Sequence, residues 1–191
     1  MEALHLVPIF LGEKAELLRP LGLALRRTFG LVCEEHPPAF DPEVAFDAGR
    51  GQYNSRVLLA HLLHAAPHTR VLGVAGVDLF VPVLTFVLGE AQLGGRAAIV
   101  SIHRLRNEPY GLPEDPTLLL DRLVKEAVHE IGHNFGLLHC PMTRCVMSSS
   151  AGVEEVDLKS ERFCDRCLAQ IRAAEVDPVG WRRFLTVRRR A

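Results

Sequence analysis

The 191-residue chain carries 22 Lys and Arg against 23 Asp and Glu, for a formal net charge of -1, and 48% of its residues are hydrophobic. This composition excludes an unfolded, self-repelling chain and gives no electrostatic reason to expect nucleic acid as a main partner. The length suits one domain able to bury its own core without covalent staples.

From the N-terminus, Leu4–Phe10 reads as a buried strand and Glu13–Phe29 as a helix, with a bend expected at Pro20 because proline removes a backbone donor. The opening MEALHLVPIF lacks the basic flank and cleavage site of a secretory leader, so a cytoplasmic location is expected. Leu31–Glu35 is a second candidate strand. The Pro-, Asp- and Gly-rich stretch His36–Gly51 reads as a loop. Gln52–Ala66 has helical spacing through Val57, Leu58, His61, Leu62 and Ala65. The apolar run from Val71 to Gly89 approaches bilayer length, but Asp78 and Pro82 interrupt it. Two buried strands, Val71–Val77 and Val81–Leu88, are predicted there instead of a membrane span. Ala97–His103 is a further strand. Strands alternating with helices predict an α/β fold with a twisted, mostly parallel sheet.

The next helix is the best defined. Asp115 can cap its N-terminus, Pro116 suits its first turn, and Leu119, Leu120, Leu123, Val124, Ala127, Val128 and Ile131 form one apolar face. Gly136 is placed to end it, since glycine readily takes the left-handed conformation of a C-cap. Residues 137–191 are less regular, with a helix expected over Ser160–Ala174. Their arginines, Arg182, Arg183, Arg188, Arg189 and Arg190, read as a solvated terminus, with a basic docking patch as the alternative.

This helix carries the chemistry. The segment HEIGHNFGLLHC runs from His129 to Cys140. Four-residue spacing puts His129 and His133 on one helical face, as two ligands of a single ion. Gly136 then turns the chain so that His139 can supply a third nitrogen. Three protein ligands leave a fourth position for water, the arrangement of a catalytic zinc. Zinc lowers the pKa of such a water to about 7. Glu130, one step round the helix, is the candidate general base that moves the proton to the leaving amine. Tyr110 and His103 are weaker candidates for a second oxyanion donor. An amphipathic helix with idle histidines is the blander reading, but it explains neither the glycine nor the third histidine.

Cys140, Cys145, Cys164 and Cys167 form C-x4-C and C-x2-C pairs, a spacing that suits a closed tetrathiolate zinc. Two disulfides or free thiols are the alternatives, and in a reducing compartment zinc is favoured. Such a site would pin the loop that delivers His139.

With these residues in view, HExxHxxGxxH followed by Cys140, Cys145, Met147 and a later C-x2-C closely resembles archaemetzincin, a family of the metzincin clan. YNS from Tyr53, LGVAGVDLFVPVLTFVLG from Leu72 and VSIHRL from Val100 are also similar to that family. The resemblance implies catalytic zinc on His129, His133 and His139 with Glu130 as base, and structural zinc on Cys140, Cys145, Cys164 and Cys167. It implies Met147 as the Met-turn residue beneath the site. The implied fold is a metzincin-type zincin domain, with an N-terminal subdomain over about 1–136 and a small zinc-stapled one over about 137–191. The family pattern puts the antiparallel, substrate-binding edge strand near Val81–Val87. Sixteen residues separate Met147 from Cys164, one fewer than the family pattern.

Of the remaining features, His61, His64 and His68 read as exposed histidines, Cys33 as a buried filler and Asp78 as a turn-fixing residue. The expectation is a zinc metallopeptidase holding two zinc ions and acting on peptides or unfolded segments. It is expected to be a monomer with no membrane or nucleic-acid partner. The rival is a zinc-stabilised peptide-binding or adaptor protein whose histidine site is idle.

Overall fold

The computed structural model describes residues 3–176. The arginine-rich tail lies outside the described residues. A five-stranded sheet forms the frame, in the order β2 (Val32–Glu35), β1 (Ala3–Ile9), β5 (Arg70–Ala75), β8 (Ala97–Ser101) and β7 (Gly89–Ala91). All neighbours are parallel except β7, which runs antiparallel to β8 at one edge. A smaller sheet joins β3 (Phe46–Asp47), β4 (Gln52–Asn54) and β6 (Leu79–Phe80).

The strands alternate between two cores. Leu4, Leu6, Leu72, Val74, Ala98 and Val100 face a core shared with α1 (Leu18–Phe29) and α3 (Pro116–Asn134). Val7, Ile9, Val71, Ala75, Ala97 and Ile99 face the other way, against α2 (Ser55–Ala65). A sheet covered on both faces explains the unbroken apolar runs in β5 and β8.

The helix expected over Ser160–Ala174 begins only at Asp165, and three further details differ from the sequence-based expectation. Pro20 does not bend a helix. A 3-10 segment over Gly12–Leu17 precedes α1, and Pro20 sits in the first turn of α1, where the missing donor has no intrahelical partner to lose. The expected helix from Gln52 begins only at Ser55, because Gln52–Asn54 pairs as β4 and the Asn54 side chain accepts from the Arg56 N–H as N-cap. The third difference bears on the site. Val81–Leu88 is not a strand. Pro82 cannot donate to a ladder, Val83 is 83% exposed, and only an isolated bridge links Leu79 to Val87. The antiparallel edge strand is Gly89–Ala91 instead.

Helix α3 follows its sequence signals closely. Asp115 Oδ1 accepts from the Leu118 N–H at 2.9 Å, Pro116 opens the helix, and Gly136 takes φ +83° just past its end. The Leu137 N–H reaches back to Gly132 O and the Gly136 N–H to His133 O, closing a Schellman motif. The β7–β8 turn is tied to this end as well. Gly94 N–H donates to His133 O, and Asn134 Nδ2 donates to Gln92 O and Ala97 O.

Beyond α3, two short helices follow, α4 (Val153–Leu158) and α5 (Asp165–Val176). The buried Arg122 of α3 holds Asp157 of α4 through two hydrogen bonds of 2.7 Å. None of the described helices is long and apolar enough to cross a membrane.

Candidate active site

His129 and His133 lie one turn apart on α3, and the chain that turns at Gly136 brings His139 to them. Ring centroids are 4.6 Å apart for His129 and His133, 5.3 Å for His129 and His139, and 5.1 Å for His133 and His139. One nitrogen from each lies within 4.8 Å of the others. His129 is buried, His133 half-buried and His139 exposed, so the cluster opens toward solvent on the His139 side.

The outer nitrogens of two rings are fixed. His129 Nδ1 meets Val146 O at 2.8 Å, and His133 Nδ1 meets Leu137 O at 2.7 Å. A carbonyl oxygen only accepts, so each Nδ1 carries the hydrogen and each Nε2 presents a lone pair. Those two Nε2 atoms face each other at 3.0 Å. Two lone pairs at that distance repel unless a cation lies between them. Nitrogens on one tetrahedral zinc stand about 3.3 Å apart, so the set fits such an ion closely. Burial holds His129 well below the usual imidazole range, and burial lowers His133 too, which keeps both in the neutral form that can ligate.

Glu130 is buried, and its carboxylate lies against the backbone of β7. A Cβ on Gly89 would fall 2.6 Å from Glu130 Oε1. Burial pushes Glu130 well above the usual carboxyl range. The negative charges of Glu126 and Glu90 add to this, while Lys159 opposes it. Met147 is fully buried beneath the same helical turn, and a Cβ on Gly132 would come within 2.5 Å of its sulfur.

The four cysteines gather, with one sulfur of each within 4.8 Å of the rest. Cys140 Sγ and Cys164 Sγ are 3.7 Å apart, close to the roughly 3.8 Å between two sulfurs on one tetrahedral zinc. The Cys164 N–H points at Cys145 Sγ at 3.3 Å. A hydrogen bond from the Cys167 backbone N–H is the main influence drawing Cys164 down to about 7, whereas burial raises Cys145 and Cys167. A divalent cation would remove the competition among these thiols for protons. The loop between the two clusters is stitched by Cys140 N–H to Met147 O and Ser148 N–H to Cys145 O. Val146, whose carbonyl orients His129, lies between Cys145 and Met147. The cysteine cluster therefore reaches His129 as well as the neighbouring His139.

Two residues at the site gave no clear sign in the sequence. Lys159 and Glu126 meet at 2.7 Å with side chains only 1% and 4% exposed, and the ammonium also approaches Ser148 O at 3.4 Å. Glu126 sits one turn before Glu130 on the buried arc of α3, which is the one hint a sequence could offer. Lys159 gives none. Lys159→Met should lower stability by about 3–5 kcal/mol, because it strands a buried carboxylate. Denaturant unfolding measures this, and adding Glu126→Leu should restore much of the loss.

Other candidates lie elsewhere. Tyr110 donates to Arg104 O, and His103 Nδ1 pairs with Arg106. Asp78 holds Arg104 by two bonds and accepts from Gln52. Cys33 packs, half-buried, against Gly22. His61 stacks on Phe40, and His64 and His68 are exposed.

Residues 45–173 match the sequence profile of peptidase family M54. The chain is 44% identical over 156 residues to the archaemetzincin of Methanocaldococcus jannaschii, covering 82% of this chain and 86% of that one. It is similar to the crystal structure of an archaemetzincin from Methanopyrus kandleri, with a TM-score of 0.82, 37% identity and coverage of 92% and 96% of the two chains. A zinc-dependent peptidase from Methanocorpusculum labreanum matches with a TM-score of 0.76 and 31% identity, covering 88% of this chain and all of that one (100%).

Proposed function

Since the chain belongs to peptidase family M54, the archaemetzincins, and is a zinc metallopeptidase, we propose that His129, His133 and His139 hold its catalytic zinc and that Glu130 carries the proton. The observation that carries this reading is the pair of facing Nε2 atoms, 3.0 Å apart, with both outer nitrogens tied to carbonyls. Bound there, zinc supplies Lewis acidity, polarising the scissile carbonyl and making water a nucleophile near neutral pH.

The chain's own groups do the rest. The Val146 and Leu137 carbonyls hold two imidazoles in the ligating tautomer. Glu130 accepts a proton from the attacking water at a carboxylate oxygen and passes it to the departing amide nitrogen. Its raised pKa suits a group that must keep the proton between those two steps. The antiparallel edge strand β7 is in place to bind an extended peptide by main-chain hydrogen bonds above Glu130. Met147 forms the apolar floor under the helical turn that carries the two histidines.

The cysteines hold a second, structural zinc in the same reading, giving two ions per chain, one easily chelated and one resistant. Residues beyond about 136 then form the smaller, stapled subdomain. Substrates are peptides or unfolded segments, and the protein works as a cytoplasmic monomer, where a reducing environment keeps the thiols available. An idle adaptor is disfavoured, because family membership points to catalysis.

The test is metal analysis paired with a peptide-library digest. About two zinc ions per chain are expected, with cleavage lost when a chelator removes the accessible one and restored on adding zinc. Cleavage that persists in the zinc-depleted protein would refute the assignment. The edge strand gives a second expectation. Gly89→Ala should lower kcat at least tenfold with zinc content unchanged, because the added methyl must displace the Glu130 carboxylate.

A further inference from the structure

We propose that His5, Glu34 and His36 form a separate surface site for a divalent transition-metal ion, at the sheet edge opposite the active site. The backbone prepares it. In the parallel ladder of β1 and β2, His5 is the register partner of Glu34, and the His36 N–H donates to Leu6 O at 2.9 Å, carrying the ladder one step further. His36 is two residues after Glu34, so all three side chains leave the same face. Leu4 and Leu6 point into the α1 and α3 core, so this is the α2 face. Helix α2 packs over β5, β8 and β7 and covers the Val7 and Ile9 end of β1, while at the β2 edge of this face Glu34 is exposed and His5 and His36 are half-buried.

The side chains converge there. The His5 and His36 rings stack with centroids 3.8 Å apart and 27° between planes. His36 Nε2 lies 3.4 Å from Glu34 Oε2. One ligand atom from each of the three falls within 4.8 Å of the others. The Glu34 and His36 side chains are 54% and 42% exposed, so an ion can reach them. Closing on an ion requires the stacked rings to tilt apart, a rotation about χ2, which is a broad torsion for histidine. A simple ion pair would use one imidazole and one carboxylate, and it leaves the second stacked imidazole unexplained.

Two imidazoles and one carboxylate suit zinc, copper(II) or nickel, with water completing the shell; calcium and magnesium prefer all-oxygen sets. Four strand spacings, roughly 19 Å, separate β2 from β7, so an ion here acts on the sheet edge and not on hydrolysis. It would clip the four-residue outer strand β2 to β1 and close off an edge open to pairing with other chains.

The experiment is calorimetric titration of the zinc-loaded protein with zinc chloride and, separately, with copper(II). Copper is also followed by its nitrogen hyperfine signature. One further equivalent is expected, with a two-imidazole copper spectrum. The affinity should fall at least tenfold in His36→Ala and in His5→Gln, and clearly in the isosteric Glu34→Gln, with peptide hydrolysis unchanged in all three. Absence of a further equivalent in the wild-type protein would overturn the proposal. So would a further equivalent that survives either histidine change, which would place the ion on other surface groups such as His64 or His68.

Discussion

Glu130→Gln should cut peptide hydrolysis by about two to four orders of magnitude while zinc content stays the same. Glutamine keeps the shape of the side chain and can still lie beneath Gly89, so the helix and the neighbouring histidines have no reason to move. What it loses is the ability to take a proton from water and hold it. In the proposed mechanism burial supports the holding step, because it favours the protonated carboxyl. Glu130→Asp separates the two requirements. It retains an acid but draws the carboxylate back by one methylene, and an intermediate rate is expected. Hydrolysis by Glu130→Gln at the wild-type rate would remove Glu130 from the mechanism, whatever its position.

Cys145→Ser should have the second large effect, and it should act at a distance. Structural zinc sites in small domains contribute on the order of 10 kcal/mol, comparable to the whole stability of a typical domain. Without the fourth thiolate, the segment from Cys140 to Cys167 should lose its cooperative fold, visible as rapid amide exchange there. The consequence then spreads to the histidines. Val146, next in sequence, supplies the carbonyl that orients His129, and losing such a partner typically weakens metal affinity about 10–100-fold. With zinc at both sites as proposed, both ions should therefore become easier to chelate in this variant. A protein that kept its accessible zinc at wild-type affinity would show that the two clusters are independent.

Much of this was legible in the sequence, for reasons that differ by element. Helix α3 could be read because cap, first-turn proline, apolar period and terminal glycine all point the same way, and the ligand spacing rides on that period. The cysteine cluster was readable from spacing alone. The edge strand was not. Val81–Leu88 is more apolar than Gly89–Ala91, but strand pairing is decided by which backbone meets β8, and Pro82 keeps the apolar stretch from doing so. Lys159 with Glu126, and the Val146 carbonyl, were invisible for a deeper reason. A buried charge pair and an orienting carbonyl are products of tertiary placement, and no local pattern of residue types marks them.

The absence of a side chain at position 89 has one further consequence. In the proposed mechanism the strand above Glu130 would offer an incoming peptide only main chain at its closest approach, and any larger residue there would press on the Glu130 carboxylate. On that reading substrate preference could not be tuned at that position without damaging turnover. Selectivity among peptide sequences would then be written in surfaces farther from the carboxylate, where side chains can change and leave the proposed proton carrier in place.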